Sequence, residues 1–142
     1  MATRSRKETL RYRIDRKIEQ HKECVFCLIE SEPERIVQTT KNFHVIKNKY
    51  PYSQWDSQGV EDHLMVVPKK HTDTLGNFNS TEALEYIGLI SSYETKGYNV
   101  YSRASQSAIK SVVHQHTHLI KPTPGVHKFS LYLRKPYIRV VK

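Results

Sequence analysis

The sequence predicts an α+β domain built on a mainly antiparallel sheet, with two helices. Three observations carry that expectation. Short β-branched and aromatic runs bounded by turn residues recur along the chain, at 35–48, 63–67, 98–103 and 112–120. Two segments carry helical periodicity, one before the strands and one between them. The chain has 142 residues, the size of one domain able to bury its own core. Strands that cluster on either side of a single long helix favour an antiparallel arrangement over alternating βαβ units.

The elements follow in order. Thr9–Lys22 reads as a helix, because Leu10, Ile14 and Ile18 recur at i, i+4 and i+8 on a charged cylinder. So narrow a stripe suits a helix lying on the domain surface. Arg35–Thr40 and Phe43–Asn48 read as strands joined by a turn at Lys41-Asn42. Tyr50–Asp62 contains Pro51, Ser53, Ser57 and Gly59 and reads as a loop. His63–Val67 is a strand ended by Pro68. Asn79, Ser80 or Thr81 caps a helix that runs to about Lys96. Leu84, Ile87, Ile90 or Ser91 and Tyr93 form its apolar stripe, and Gly97 stops it. Tyr98–Arg103 and Val112–Ile120 are strands, the second closed by Lys121-Pro122-Thr123-Pro124-Gly125. Lys128–Leu133 and Tyr137–Val141 suit two further short strands.

Composition excludes several classes. Two cysteines cannot form a disulfide scaffold. No apolar run approaches the ~20 residues of a membrane span, and no apolar stretch follows the basic first residues as a secretory signal requires. A cytoplasmic protein is the expectation. The net charge of +9 is uneven. Residues 1–22 carry eight Lys/Arg against three acids, and residues 121–142 carry six against none, whereas the middle is slightly acidic. Basic ends suit a polyanion, nucleic acid included, or a solvated surface.

The most informative segment is His114-Gln115-His116-Thr117-His118-Leu119-Ile120. On a strand, His114, His116 and His118 share one face, with Gln115 and Thr117 on the other. Three imidazoles in a row make a poor apolar face, so chemistry is expected of them. Alternate histidines suit metal binding. Neutral imidazole also suits nucleophilic and acid–base work on a phosphoryl group near neutral pH. Cys24-x-x-Cys27 has the spacing of half a zinc site and needs two further ligands.

With these motifs the chain resembles the histidine-triad superfamily of nucleotide hydrolases and transferases. The resemblance rests on four ordered segments besides the triad itself: Cys24-x-x-Cys27, Asn48-Lys-Tyr50-Pro51-Tyr52, His63-Leu-Met-Val-Val-Pro68-Lys-Lys-His71 and Ser111-Val-Val-His114. It spans residues 23–121, leaving 1–22 as a basic N-terminal helical extension and 122–142 as a basic C-terminal extension packed on the domain. It implies a five-stranded sheet with two helices, dimerising into a continuous sheet.

The resemblance also assigns roles. His116 would attack the α-phosphorus of a nucleotide, and His118 would hold phosphate oxygens or manage protons. Asn48 and Ser111 would contact the nucleotide. Cys24, Cys27, His63 and His114 would close a structural zinc site, with His71 as a supporting residue and His21 as a weaker ligand candidate. His44 and His127 would lie on the surface. The substrate would be a dinucleoside polyphosphate, a nucleoside phosphoramidate or a related nucleotide.

The chain departs from the family where Asp62 precedes His63 and a longer loop holds Trp55, either covering the substrate or packing on the surface. It departs again where Arg103 to Ser111 lacks glycine, so that Arg103 and Lys110 would meet phosphate with charge rather than backbone. Two other readings compete. One is a basic zinc-containing nucleic-acid-binding module. The other is a metalloenzyme using all three triad histidines as ligands.

Overall fold

The computed structural model describes the backbone of residues 4–19, 23–127, 130–132 and 139–141, and the side chains of 4–15 and 23–124. Helix α1 spans Arg6–Glu19 and α2 spans Ser80–Glu94. Strands β1 (Ile36–Thr39), β2 (Phe43–Lys47), β3 (Gln54–Trp55), β4 (Gln58–Pro68), β5 (Asn99–Ser102) and β6 (Thr117–His127) form one antiparallel sheet. Its order is β1-β2-β4-β6-β5, with β3 folded back on the start of β4. A separate hairpin joins β7 (Ser130–Tyr132) to β8 (Arg139–Val141). Among the described residues the α+β class with two α-helices and an antiparallel sheet is therefore observed, but the sheet has six strands rather than the expected five, because β3 adds to the start of β4.

Each face of the sheet has its own core. On one, Phe43, Val45, Leu64, Val66 and Leu119 meet Tyr86, Leu89 and Tyr93 of α2. On the other, Ile46, Met65 and Val67 meet Phe26 and Ile29 from the segment before β1. Strand alternation makes this split: His63, Met65 and Val67 share a face, and Leu64 and Val66 share the opposite one.

Several expectations are corrected. Helix α1 starts three residues earlier than its apolar stripe suggests. Ser5 and Glu8 cap it reciprocally: Glu8 accepts from the Ser5 amide at 2.9 Å, and the Ser5 hydroxyl accepts from the Glu8 amide at 3.2 Å. Leu10 and Ile14 are exposed, and α1 docks instead through Tyr12 against Tyr50 at 5.3 Å and Asp15 on the Tyr50 hydroxyl at 2.5 Å. In α2 the Asn79–Glu82 capping box fixes the start, but the buried face is Tyr86, Leu89 and Tyr93, while Leu84 and Ile87 are exposed. Tyrosine rings reach the sheet from positions where their hydroxyls also find partners, as Tyr86 does on Thr117 at 2.8 Å.

The loop expected at 50–62 contains a hairpin. Asp56 and Ser57 turn with φ of 48° and 65°, the left-handed geometry of a tight β-turn. Trp55 packs between Tyr52, at 6.1 Å, and Tyr101, at 4.9 Å. The close of the last long strand at Lys121–Gly125 is not observed either. β6 runs on to His127, and Val60 pairs with Pro122 where the register with β4 shifts. Such irregularities are where a strand tolerates proline. The expected strand start at Val112 also moves. Residues 111–116 precede β6, because β5 ends at Ser102 opposite Thr117 and offers no further partner.

Candidate active site

All three triad histidines are buried on the sheet face opposite α2. Only His118 lies within β6. His114 and His116 sit in the approach to it, where the Gln115 amide donates to the Thr72 carbonyl at 2.6 Å. The rings of His116 and His118 remain neighbours, with centroids 5.1 Å apart.

The hydrogen bonds assign a tautomer to each ring. His116 Nδ1 lies 2.8 Å from the His114 carbonyl. A carbonyl only accepts, so Nδ1 carries the proton and Nε2 keeps its lone pair. The Tyr52 amide donates to His63 Nδ1 at 3.0 Å, which puts the proton of His63 on Nε2. That nitrogen is 2.9 Å from His118 Nδ1 and donates to it. His118 therefore carries its own proton on Nε2. The pair offers one lone pair on His116 and one N–H donor on His118.

Both rings are neutral near pH 7. Burial depresses the pKa of His116, aided by the charges of Lys110 and Arg103. Burial also pushes His118 down to about 2, with the neighbouring histidines, Arg103 and Arg4 adding to it. His63 falls to about 3, through burial first and the Arg4 charge second. A neutral imidazole is the nucleophilic form.

A cavity of about 550 Å³ opens on these rings, and Asn48, Ser111, His114, His116 and His118 all line it. Asn48 accepts from the Tyr50 amide at 2.9 Å, and its amide nitrogen, 3.0 Å from His63 Nε2 and 3.4 Å from Nδ1, lies over the ring rather than in line with either nitrogen's lone pair. Arg103 lies over the Tyr101 ring at 5.2 Å, and that ring is in turn 5.9 Å from His118. Lys110 does not line the cavity. Its ammonium donates to the Asp73 carbonyl at 3.1 Å and to Gln115 at 3.0 Å.

A second cluster adjoins the first. His114 Nε2 donates to the Pro68 carbonyl at 2.9 Å, leaving Nδ1 free to ligate. That Nδ1 is 3.4 Å from Cys24 Sγ and 3.5 Å from Cys27 Sγ. His71 Nδ1 is 3.2 Å from Cys27 Sγ. The four donor atoms of Cys24, Cys27, His71 and His114 lie within 4.8 Å of one another. Ligands about 2.0–2.3 Å from a tetrahedral zinc ion stand this close together, and two thiols with two imidazoles suit it chemically.

The structure thus brings Cys24, Cys27 and His114 together as expected, but His71 rather than His63 stands fourth. His63 is the partner of His118, and both its ring nitrogens are engaged there. The spacing Pro68-Lys-Lys-His71 was the available signal, since the chain must leave β4 before it can turn towards Cys27. His44 is buried, not on the surface, between Thr39 at 3.0 Å and Glu30 at 3.4 Å. His21 lies outside the described residues, as does the His127 side chain. Thr117 and Gln115 are hydrogen-bonded to Tyr86 and Ser102 respectively.

No protein-family model matches the chain, and no curated protein matches it. Solved structures do. A HIT family hydrolase from Clostridium thermocellum superposes with a TM-score of 0.55 at 22% identity, covering 74% of this chain and 95% of that one. A hypothetical histidine triad nucleotide-binding protein from Sulfolobus tokodaii gives 0.56 at 24%, covering 72% and 71%. A zinc-bound histidine triad family protein from Mycobacterium smegmatis gives 0.51 at 21%, covering 72% and 77%. The chain therefore has the fold of the histidine-triad proteins. Among the described residues no helix is long and apolar enough to cross a membrane.

Proposed function

We propose that the protein is a nucleotide hydrolase or transferase of the histidine-triad type. The observation that carries this reading is the pair of buried, neighbouring rings lining the cavity, His116 with Nδ1 on the His114 carbonyl and His118 with Nδ1 on His63. His116 Nε2 attacks the α-phosphorus of a bound nucleotide, while His118 Nε2–H donates to a phosphate oxygen. The new N–P bond forms as the bond from phosphorus to the leaving group breaks; the His118 Nε2 proton passes to the leaving group, and the water or other acceptor that attacks next returns a proton to His118. Water or another acceptor then attacks the same phosphorus, the N–P bond breaks, and His116 is restored. Covalent catalysis of this kind replaces one difficult displacement by two easier ones. Asn48 and Ser111 bind the nucleotide, and Arg103 adds positive charge behind the triad. The substrate is a dinucleoside polyphosphate, a nucleoside phosphoramidate or a related nucleotide.

Cys24, Cys27, His71 and His114 hold a zinc ion in a closed, structural site. The ion's part is to pin the segment before β1 to the approach of β6. The zinc-bound neighbour from Mycobacterium smegmatis supports this reading. The protein acts in the cytoplasm as a homodimer. The exposed edge strand β5, with Val100 on its surface, and the exposed Leu84 and Ile87 of α2 support the dimer.

A metalloenzyme built on the three triad histidines is disfavoured. His114 faces the cysteines, and His118 is engaged by His63. A purely nucleic-acid-binding module leaves the His116 lone pair unused.

The test is incubation with diadenosine tetraphosphate and with adenosine phosphoramidate, followed by mass mapping. A nucleotidyl adduct on His116 is expected. His116→Asn should keep nucleotide affinity within a few-fold and lose turnover by about a thousandfold or more. Wild-type turnover in that variant would sink the mechanism.

A further inference from the structure

The sequence motifs stop at residue 23, yet the cavity does not. Arg4, two residues before the start of α1, is half-buried and lines it together with Tyr12, Tyr50 and the triad. We infer that Arg4 is a substrate-binding residue, which meets a phosphate group of the bound nucleotide. This inference rests on the nucleotide reading above and names a contact that the triad motifs do not contain.

The geometry restricts what Arg4 can do. Its Nε donates to the Tyr50 carbonyl at 3.1 Å, which fixes the side chain's direction. Its guanidinium carbon lies 4.7 Å from the Tyr12 ring centre and 5.0 Å from that of Tyr52. Two rings already take up the contact surface that a base would need for stacking. The four N–H bonds on the two terminal nitrogens remain, and among the described residues they meet no acceptor and no carboxylate. A guanidinium held by aromatic rings with its outer N–H groups unused is preorganised for an oxyanion.

The position is consistent with that use. Tyr52 packs on His63 at 4.6 Å and on His118 at 5.7 Å, so one ring separates Arg4 from the donor histidine. The Arg4 charge is close enough to lower the pKa of both. A phosphate chain lying over His116 and His118 would bring negative charge towards that cation.

The arm is held in place as well as charged. Ser5 and Glu8 cap the helix directly after Arg4, and Asp15 anchors α1 to the Tyr50 hydroxyl. The cation therefore approaches the site on a fixed element, not on a free tail. The N-terminal extension becomes part of the binding wall.

Calorimetric titration of AMP and of adenosine into the full chain tests this. Arg4→Gln should weaken AMP by about tenfold, the order expected for one charge-assisted contact. Adenosine affinity should stay within twofold, which also reports an intact cavity. Arg4→Lys should recover part of the AMP affinity, because it keeps the charge. Turnover of adenosine phosphoramidate should show a raised KM with kcat little altered. Equal losses for AMP and adenosine would overturn the inference, since Arg4 would then only hold the wall. Unchanged AMP affinity would overturn it too. A wild-type chain that binds neither compound would remove the nucleotide reading itself, and this inference with it.

Discussion

His63 illustrates how one residue can take a different part from the one its motif suggests. As a histidine opening a strand beside a Cys-x-x-Cys pair, it fits a ligand set on paper. In the fold it receives the Tyr52 amide on one nitrogen and gives its proton to His118 from the other. Its side chain is on the sheet face of Met65, one strand from the triad, while the cysteines lie beyond His114. Sequence order places both within reach, and only the route of the chain after Pro68 separates them. His63 and His118 also set an acid limit on stability. Their folded pKa values, about 3 and about 2, lie below that of free histidine at about 6.5. The unfolded chain therefore binds more protons in mild acid. Their contribution is complete above about pH 6.5 and is progressively lost as pH falls towards 3. Denaturation midpoints measured from pH 7 to pH 4.5 should fall, and fall less steeply in His63→Gln. A midpoint flat over that range would contradict the buried neutral pair.

At the scale of elements, strands and helices were legible but faces were not. The strand at 43–48 and the helix after Asn79 follow from local chemistry: β-branched runs, a turn at Lys41-Asn42, a capping box with Glu82. The face of α2 does not follow. Leu84 and Ile87 are more apolar than Tyr86, so an apolar stripe read from the sequence rotates towards them. The expected Ile90 and Tyr93 do pack on the core, but the sheet takes Tyr86 and Leu89 beside them in place of Leu84 and Ile87, and the hydroxyls of Tyr86 and Tyr93 meet Thr117 and Gln38. This predicts a sharp contrast in stability. Leu89→Ala should cost about 2–5 kcal/mol, the usual loss for a buried leucine. Leu84→Ala should change stability by about 0.5 kcal/mol or less in the monomer. Urea denaturation at low protein concentration measures both, and equal costs would refute the assigned face. Helix α1 was visible as a helix, but its docking was not. The Ser5-x-x-Glu8 box marks its start, whereas Tyr12 and Asp15 make its contacts, and only tertiary structure distinguishes those from its exposed leucine and isoleucine.

For the molecule as a whole, three separated stretches meet at the Cys24, Cys27, His71 and His114 cluster. Zinc there cross-links the segment before β1, the loop after β4 and the approach to β6. Binding to a site that exists only in the folded chain stabilises that chain. One zinc per chain is expected by mass spectrometry under native conditions. Cys24→Ser should lose it and lower the thermal midpoint, as should a strong chelator on the wild type. Protein purified without chelator, free of metal and equally stable, would refute this. The +9 charge of the chain also takes a more definite place. Composition assigns it to the ends; the fold carries one end, through Arg4, to the cavity.

The sheet order has a kinetic consequence. β4 and β6 are neighbours at its centre, yet 48 residues separate Pro68 from Thr117. Closing so long a loop costs entropy before the contact repays it, so the β2–β4 meander has the shorter path to its pairing. Assembly of the chain should therefore end with β6 docking, and the His63–His118 hydrogen bond should be among the last native contacts to form. Conservative truncations in β2, such as Val45→Ala, should slow refolding. Leu119→Ala should chiefly speed unfolding, and the reverse ranking in stopped-flow experiments would exclude this order. The reacting groups would then be complete only when everything else is.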